Sequence, residues 1–290
     1  MSKKIIRDYS FQLDAIHCIK RDYNKKKNAR MLLIIPTGGG KTLTAIRAVD
    51  EMIKDNVINQ NNKCLWITHL NSLEQQTSEV VNSHKWKKEF NFSDQLQSCL
   101  EIKMKQEAIE LLENDINNEY GLVIIDECHH SSAKSYQQIF DNPKLAVLGL
   151  TATPNRSDKK SLNFEGPTYQ ITFDELERRN VIIKPEPDKI IIPDEIDADS
   201  LKSPRFDNSK RNNHIVSKVL EKRRLSLNKN NENYSKIVVY VNTVKHAKNL
   251  YETFVSRTSI SELYDFVGFI EGGKNSAGCS NEDFLKDFKQ

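Results

Sequence analysis

Two short runs concentrate the residue types that handle phosphate and water. The first is Met31-Leu32-Leu33-Ile34-Ile35-Pro36-Thr37-Gly38-Gly39-Gly40-Lys41-Thr42. An apolar run of strand length delivers the chain to three successive glycines, whose backbone N–H groups can surround phosphate oxygens without Cβ obstruction. A helical pattern starts at Lys41 and presents the positive end of its dipole to the same place. Lys41 can then reach the outer phosphates of a nucleotide and the Thr42 hydroxyl can ligate Mg²⁺, with Thr37, Gly38, Gly39 and Gly40 forming the loop. The strict phosphate-loop pattern has glycine where this chain has Ile35. The simpler alternative is a glycine turn that merely opens a helix.

The second run is Leu122-Val123-Ile124-Ile125-Asp126-Glu127-Cys128-His129-His130. It reads as a buried strand ending in two carboxylates. In a parallel sheet, groups at the C-terminal ends of strands meet in the ligand crevice, where the glycine loop also lies. Asp126 is then placed to hold Mg²⁺ through its water shell, and Glu127 to orient and deprotonate an attacking water. Acids that complement a helix dipole are the alternative. A zinc reading of Cys128, His129 and His130 ranks lower, because no second ligand cluster stands at zinc-site spacing.

These residues need a parallel α/β sheet to bring them together, and the first 180 residues have its pattern. Residues 10–23 read as a helix with Ser10 as N-cap, 31–35 as a strand and 41–54 as a helix. Residues 63–68 and 71–84 read as a strand and a helix, and 99–116 as mainly helical. A strand at 121–125, a helix near 133–140 and a strand at 145–149 follow. The segment 185–211 holds four of the eight prolines, with clusters of Asp, Ser and Asn, and reads as a connection. Beyond it come a helix at 212–227, a strand at 237–241 and a helix at 243–256.

Composition sets the outer bounds. The chain has 290 residues, of which 38% are hydrophobic and 29% charged, enough apolar content for a core and for about two domains. Lys and Arg total 43 against 40 Asp and Glu, a net charge of +3, so bulk charge alone does not hold this chain to nucleic acid. Any such contact has to be local. Basic residues do cluster at Lys3, Lys4, Arg7, Lys20, Arg21, Lys25, Lys26, Lys27 and Arg30, and again at Lys210, Arg211, Lys218, Lys222, Arg223 and Arg224. Each cluster reads as a phosphate-contacting surface or as an ordinary solvated helix face. Trp66 lies in a strand and reads as core. The five cysteines are scattered, no apolar run approaches the roughly 18 residues that span a bilayer, and no secretory signal opens the chain, so a soluble, cytoplasmic protein is expected.

The two runs, with Gly149-Leu150-Thr151-Ala152-Thr153-Pro154, resemble motifs I, II and III of the superfamily 2 helicases. The nearest resemblance is to the group holding the motor subunits of type I and type III restriction enzymes and related DNA translocases. The resemblance implies a RecA-like, P-loop lobe followed by part of a second. It implies ATP and Mg²⁺ as ligands, Lys41 and Glu127 as catalytic residues, Thr42 and Asp126 around the metal, and Thr151 and Thr153 coupling hydrolysis to movement. Phe11 and Gln12 look like the upstream aromatic–glutamine element, in which Gln reads the adenine edge. His69 and Asn71 fall in a segment similar to motif Ia, and Asn242 and Thr243 in one similar to motif IV, both expected to touch nucleic acid. Residues 164–169 and 176–182 resemble the segment that closes the first lobe.

The expected organisation is therefore a first lobe at 1–184, a connection at 185–211 and the front of a second lobe at 212–290. Two departures from the family pattern stand out. Where a Thr-containing strand motif belongs, the chain has Ile102-Lys103-Met104-Lys105-Gln106, and the sequence stops before motifs V and VI. Loss of the motif VI arginine implies a rate cost of up to about 10³–10⁵. The leading expectation is an ATP-dependent helicase or translocase, with DNA favoured over RNA and a partner chain able to supply the rest of the second lobe. The alternatives are a binding module that hardly hydrolyses ATP alone, and an RNA-directed motor.

Overall fold

The computed structural model describes residues 6–114, 119–130, 136–153, 164–183, 207–228, 237–241, 243–257, 268, 270–271 and 274–275. The chain divides into two compact units, residues 1–185 and 186–290.

The first unit is built on a six-stranded sheet. Its strands are β1 (Arg30–Ile34), β2 (Lys63–Thr68), β3 (Leu100–Met104), β4 (Tyr120–Ile125), β5 (Ala146–Thr151) and β6 (Tyr169–Gln170), in the spatial order β3-β2-β4-β5-β1-β6. Every pairing in this sheet is parallel. Parallel strands need long crossovers, and helices lie in four of them: α2 (Lys41–Lys54), α3 (Asn71–Asn82), α4 (His84–Phe90), α5 (Leu96–Cys99), α6 (Lys105–Glu113) and α7 (Gln137–Asp141), while α1 (Ser10–Lys25) precedes β1 and α8 (Phe173–Arg178) follows β6.

Successive strand residues face opposite sides, and both sides are apolar. Met31, Leu33, Trp66, Leu122, Ile124, Leu148 and Leu150 meet α1, α2 and α5 in one core. Leu32, Ile34, Leu65, Ile67, Val123, Ile125 and Val147 meet α6 and α7 in the other. This is the parallel α/β lobe expected of a RecA-like fold, and Trp66 is fully buried in it.

Three expectations are corrected. Residues 99–116 are not one helical stretch: Leu100–Met104 is a strand paired parallel with β2. Its residues after Leu100 are only half-buried, as befits a strand at the rim of the sheet, so its apolar signal is weak. Ser10 is not the N-cap of α1; Tyr9 is, without a side-chain bond, and Asp8 Oδ1 instead accepts from Ser10 N at 2.9 Å. In the second unit, residues 237–241 form no ladder, and Val238, Val239 and Tyr240 are 58%, 38% and 92% exposed. A strand needs a neighbour to bond with, and none lies alongside among the described residues.

The described part of the second unit pairs α9 (Ser209–Asn228) with α10 (Val244–Arg257) through Val216, Leu250 and Phe254. A short antiparallel pair, β7 (Ile270–Glu271) with β8 (Lys274–Asn275), follows. The expected connection at 185–211 lies outside the described residues as far as 206, and α9 starts three residues before the expected 212.

Gly149, within β5, tests the packing of the sheet. A Cβ there would fall against the edge of the Phe164 ring, 2.8 Å from Cε2, and 2.9 Å from Cys128 Sγ. Gly149→Ala is therefore expected to cost about 1–3 kcal/mol by overpacking. Urea unfolding should show a lower midpoint at unchanged slope; an unaltered midpoint would contradict this packing.

Candidate active site

Three adjacent strands, β1, β5 and β4, end at the same edge of the sheet, and each ends on residues singled out above. After β1, Ile35 N donates to Thr151 O at 3.2 Å, and the chain then turns through the glycines. Gly38 and Gly40 have φ of +87° and +85°, a region costly for residues with a Cβ. Gly39 is needed for a different reason: a Cβ would sit 2.9 Å from Leu176 Cδ1. Gly40 caps α2 without any side-chain bond, so the helix opens directly onto the loop.

At the end of β4, Asp126 N donates to Ile67 O at 3.0 Å, which locks the acid to β2. Asp126 Oδ1 accepts from Glu127 N at 2.9 Å. Glu127 itself has φ of +47°, an unusual backbone state for a non-glycine residue and one that recurs at functional sites. Lys41 Nζ lies 3.6 Å from Asp126 Oδ1 and is ion-paired with Glu127 Oε1. The Lys41 and Asp126 side chains are 11% and 4% exposed. Burial raises the Asp126 pKa above its usual value, Lys41 opposes that rise, and the Glu127 charge adds to it.

The cluster extends to β5 through a residue that motif reading missed in this role. His129 Nδ1 lies 3.3 Å from Glu127 Oε2 and 3.1 Å from Thr151 Oγ1. The Thr151 hydroxyl donates to Thr153 O at 3.0 Å and accepts from Thr153 N at 3.1 Å. Its one proton is thus committed, so His129 Nδ1 must be the donor toward Thr151. The signal available in the sequence was only the position of His129 two residues beyond Glu127. The zinc alternative for Cys128, His129 and His130 gains no support from the surroundings of the thiol. Cys128 is buried in the apolar core, and burial pushes its thiol up to about 12.

Gln12 comes to the same place from α1. It is buried, its Nε2 donates to Gly39 O at 3.4 Å, and its Oε1 accepts from Arg47 Nη1 at 2.9 Å. Phe11 is fully buried in the core, so it anchors α1 rather than offering its ring at the surface. Leu176 and Ile182 flank Gly39 and Gly38, which puts the segment 176–182 against the loop.

The residues present fit Mg²⁺. Lys41 contributes one positive formal charge against the two negative charges of Asp126 and Glu127, leaving a partly buried acid excess of one that a cation would offset. One hydroxyl and one carboxylate suffice, because Mg²⁺ usually keeps several waters and completes its shell with substrate phosphates.

The expected nucleic-acid contacts are not gathered in the same way. His69 and Asn71 sit just beyond the end of β2, half-buried and exposed respectively. Thr243 caps α10, its Oγ1 accepting from His246 N at 3.1 Å, and Asn242 lies outside the described residues. Much of the first basic cluster is engaged within the chain. Lys20 pairs with Asp55, Arg21 and Lys25 with Asp22, and Lys26 with Glu165, while Arg30 donates to the carbonyls of Phe140, Asn142 and Leu145.

Comparison with known proteins places this site in context. Residues 4–156 match the family described as type III restriction enzyme, res subunit. IRC3 of Saccharomyces cerevisiae, named as a candidate ATP-dependent helicase, is 29% identical over 181 residues, covering 56% of this chain and 25% of that protein. The DNA 3'-5' translocase XPB2 of Sulfurisphaera tokodaii is 28% identical over 155 residues, covering 48% of this chain and 32% of that protein. The matched region thus spans only a quarter to a third of these relatives' own length. Among solved structures, the type ISP restriction-modification enzyme LlaGI in complex with a DNA substrate mimic gives a TM-score of 0.45 at 16% identity, over 90% of this chain and 28% of that one. The UvsW helicase of bacteriophage T4 gives 0.40 at 19% identity, over 56% of this chain and 57% of that one. No helix among the described residues is long and apolar enough to cross a membrane.

The raised pKa of Asp126 has a stability consequence of definite sign. The folded state holds this proton more tightly than the unfolded chain, so stability is lost as pH rises from the usual value of 3.8 through the folded value. Asp126→Asn escapes that loss. In the absence of divalent cations, the variant should have the higher urea midpoint at pH 7, with the gap narrowing as pH falls toward 3.8. A variant less stable at pH 7, or a gap independent of pH, would contradict the assignment.

Proposed function

Because the chain belongs to the type III restriction enzyme res-subunit family, we propose that it is an ATP-dependent motor, a helicase or translocase acting on nucleic acid, with DNA the favoured substrate. The observation that carries this reading is the meeting of Lys41, Asp126, Glu127, His129 and Thr151 at the ends of three adjacent parallel strands. A metabolic phosphotransferase needs the loop and the acids but gives no reason for the bonded link to Thr151 and Thr153. The DNA preference is supported by the names of the relatives, among them a DNA translocase.

In this mechanism the loop N–H groups, Lys41 and the opening of α2 bind the triphosphate of ATP. Thr42 and Asp126 would hold Mg²⁺, which supplies charge neutralisation at the γ-phosphate. Lys41 exchanges its partner: its ammonium leaves Glu127 for phosphate oxygens. That exchange releases the Glu127 carboxylate to orient the attacking water and take its proton. His129 Nδ1 donates to Thr151 and lies 3.3 Å from Glu127 Oε2, so a change at the carboxylate is felt at the end of β5. Thr151 and Thr153 are placed to pass it on as movement.

Lys41→Ala and Glu127→Gln should each abolish nucleic-acid-stimulated ATP hydrolysis. Glu127→Gln should still bind ATP, since it removes the base and not the phosphate cradle. Steady-state phosphate release with duplex DNA, single-stranded DNA and duplex RNA as stimulants checks both points. Strongest stimulation by DNA is expected. Unchanged turnover in both variants would remove the assignment, and stimulation by RNA alone would reverse the substrate preference.

A further inference from the structure

Arg47 belongs to none of the motifs above, yet its guanidinium ends one side chain away from the phosphate loop. It projects from α2 and lies over the Phe90 ring, 4.1 Å from the centroid. Phe90 is itself held in an aromatic run, 5.6 Å from Trp86 and 6.0 Å from Phe92 by ring centroids. From that seat Arg47 Nη1 donates to Gln12 Oε1 at 2.9 Å. The opposite end of the same amide, Nε2, donates to Gly39 O at 3.4 Å.

These two partners are chemically one-sided. A guanidinium offers only donors and a backbone carbonyl only acceptors. Flipping the Gln12 amide would set its N–H₂ against the guanidinium and its oxygen against Gly39 O. Two hydrogen bonds would be exchanged for two like-with-like contacts around a side chain only 3% exposed, where unmade bonds are expensive. The amide therefore has one orientation. Each end keeps a further position, a second lone pair on Oε1 and a second N–H on Nε2. An acceptor and a donor of fixed polarity match the adenine edge, which presents the N6 amino donor and the N7 acceptor. Guanine presents two acceptors, so its O6 would face Oε1.

We propose that Arg47 is a positioning residue for nucleobase selection: by donating to Gln12 Oε1 it fixes the polarity of the amide, so that the site accepts adenine and rejects guanine. This rests on the reading of Gln12 as the residue that faces the base. Arg47 touches no ligand in this scheme, and a residue with the same packing but no donor should fail in the role. Arg47→Met keeps a long, polarisable chain over Phe90 and removes the donor. Arg47→Lys keeps a donor-only cation.

The test is equilibrium binding of ribose-labelled ATP and GTP to the full chain with Mg²⁺, without nucleic acid, in the wild type, both Arg47 variants, Gln12→Ala and the Gln12→Ala/Arg47→Met double variant. The wild type should prefer ATP. Arg47→Met should lower the ATP-to-GTP preference about tenfold, in the range of one base-reading contact, while GTP affinity stays within about twofold of wild type. Arg47→Lys should retain most of the preference, and the double variant should be no less selective than Gln12→Ala, because the two residues act through one amide. Wild-type selectivity in Arg47→Met, equal weakening of both nucleotides, or a Lys variant as unselective as the Met variant would overturn the proposal. If the wild type binds neither nucleotide, or Gln12→Ala leaves the preference intact, the reading of Gln12 itself fails, and this inference with it.

Discussion

The ammonium of Lys41 stands between two carboxylates, 3.6 Å from Asp126 and in direct contact with Glu127, with both Lys41 and Asp126 largely withdrawn from water. Two acids and one base in so small a space are costly unless each is held by something else, since taking ions out of water costs several kcal/mol each. The first unit supplies those holds. Asp126 is bonded through its N–H to β2 and through its carboxylate to the Glu127 backbone. Glu127 accepts a left-handed backbone to turn toward the lysine. His129 covers the far oxygen of Glu127 and carries the connection to Thr151. Lys41 in turn is the first residue of α2, whose apolar face, with Ile46, Val49, Met52 and Ile53, is set into the core.

The geometry of the loop follows from the same requirement. For Lys41 to meet the acids, the chain must leave β1 and enter α2 within six residues, pressed against Leu176, Ile182 and Gln12. Positive φ at Gly38 and Gly40 and lack of space at Gly39 make three glycines the workable solution. A backbone so short of side chains opens straight onto the positive end of α2. The position that folding demands for Lys41 is thereby also a place where a chain of phosphates can sit.

How much of this could be read from residues alone depends on the range of the interactions involved. The helix at 41–54 and the strand at 63–68 have the bounds that the sequence pattern predicts, because each is defined by its own periodicity and by adjacent turn residues. Lys41, Asp126 and Thr151 are brought together as the motifs imply, because parallel strands of one sheet leave little freedom at their ends. The strand at 100–104 escapes notice: it lies at the rim, carries Glu101 and Lys103, and is followed at once by a helix. Residues 237–241 show the opposite error, an apolar run with high strand preference and no described neighbour to pair with. Local preference marks such a segment as able to be a strand, and only a partner makes it one. The role of Arg47 was illegible for a third reason, since its contact with Gln12 spans 35 positions and depends on the aromatic run beneath it.

The most direct measurement of the central claim is a crystal structure of the full chain with Mg²⁺ and a non-hydrolysable ATP analogue. The triphosphate should lie against Gly38, Gly39 and Gly40, with Lys41 Nζ moved from Glu127 to phosphate oxygens and the metal held by Thr42 and Asp126. An analogue bound elsewhere, or bound at the loop while Lys41 remains paired with Glu127, would contradict it.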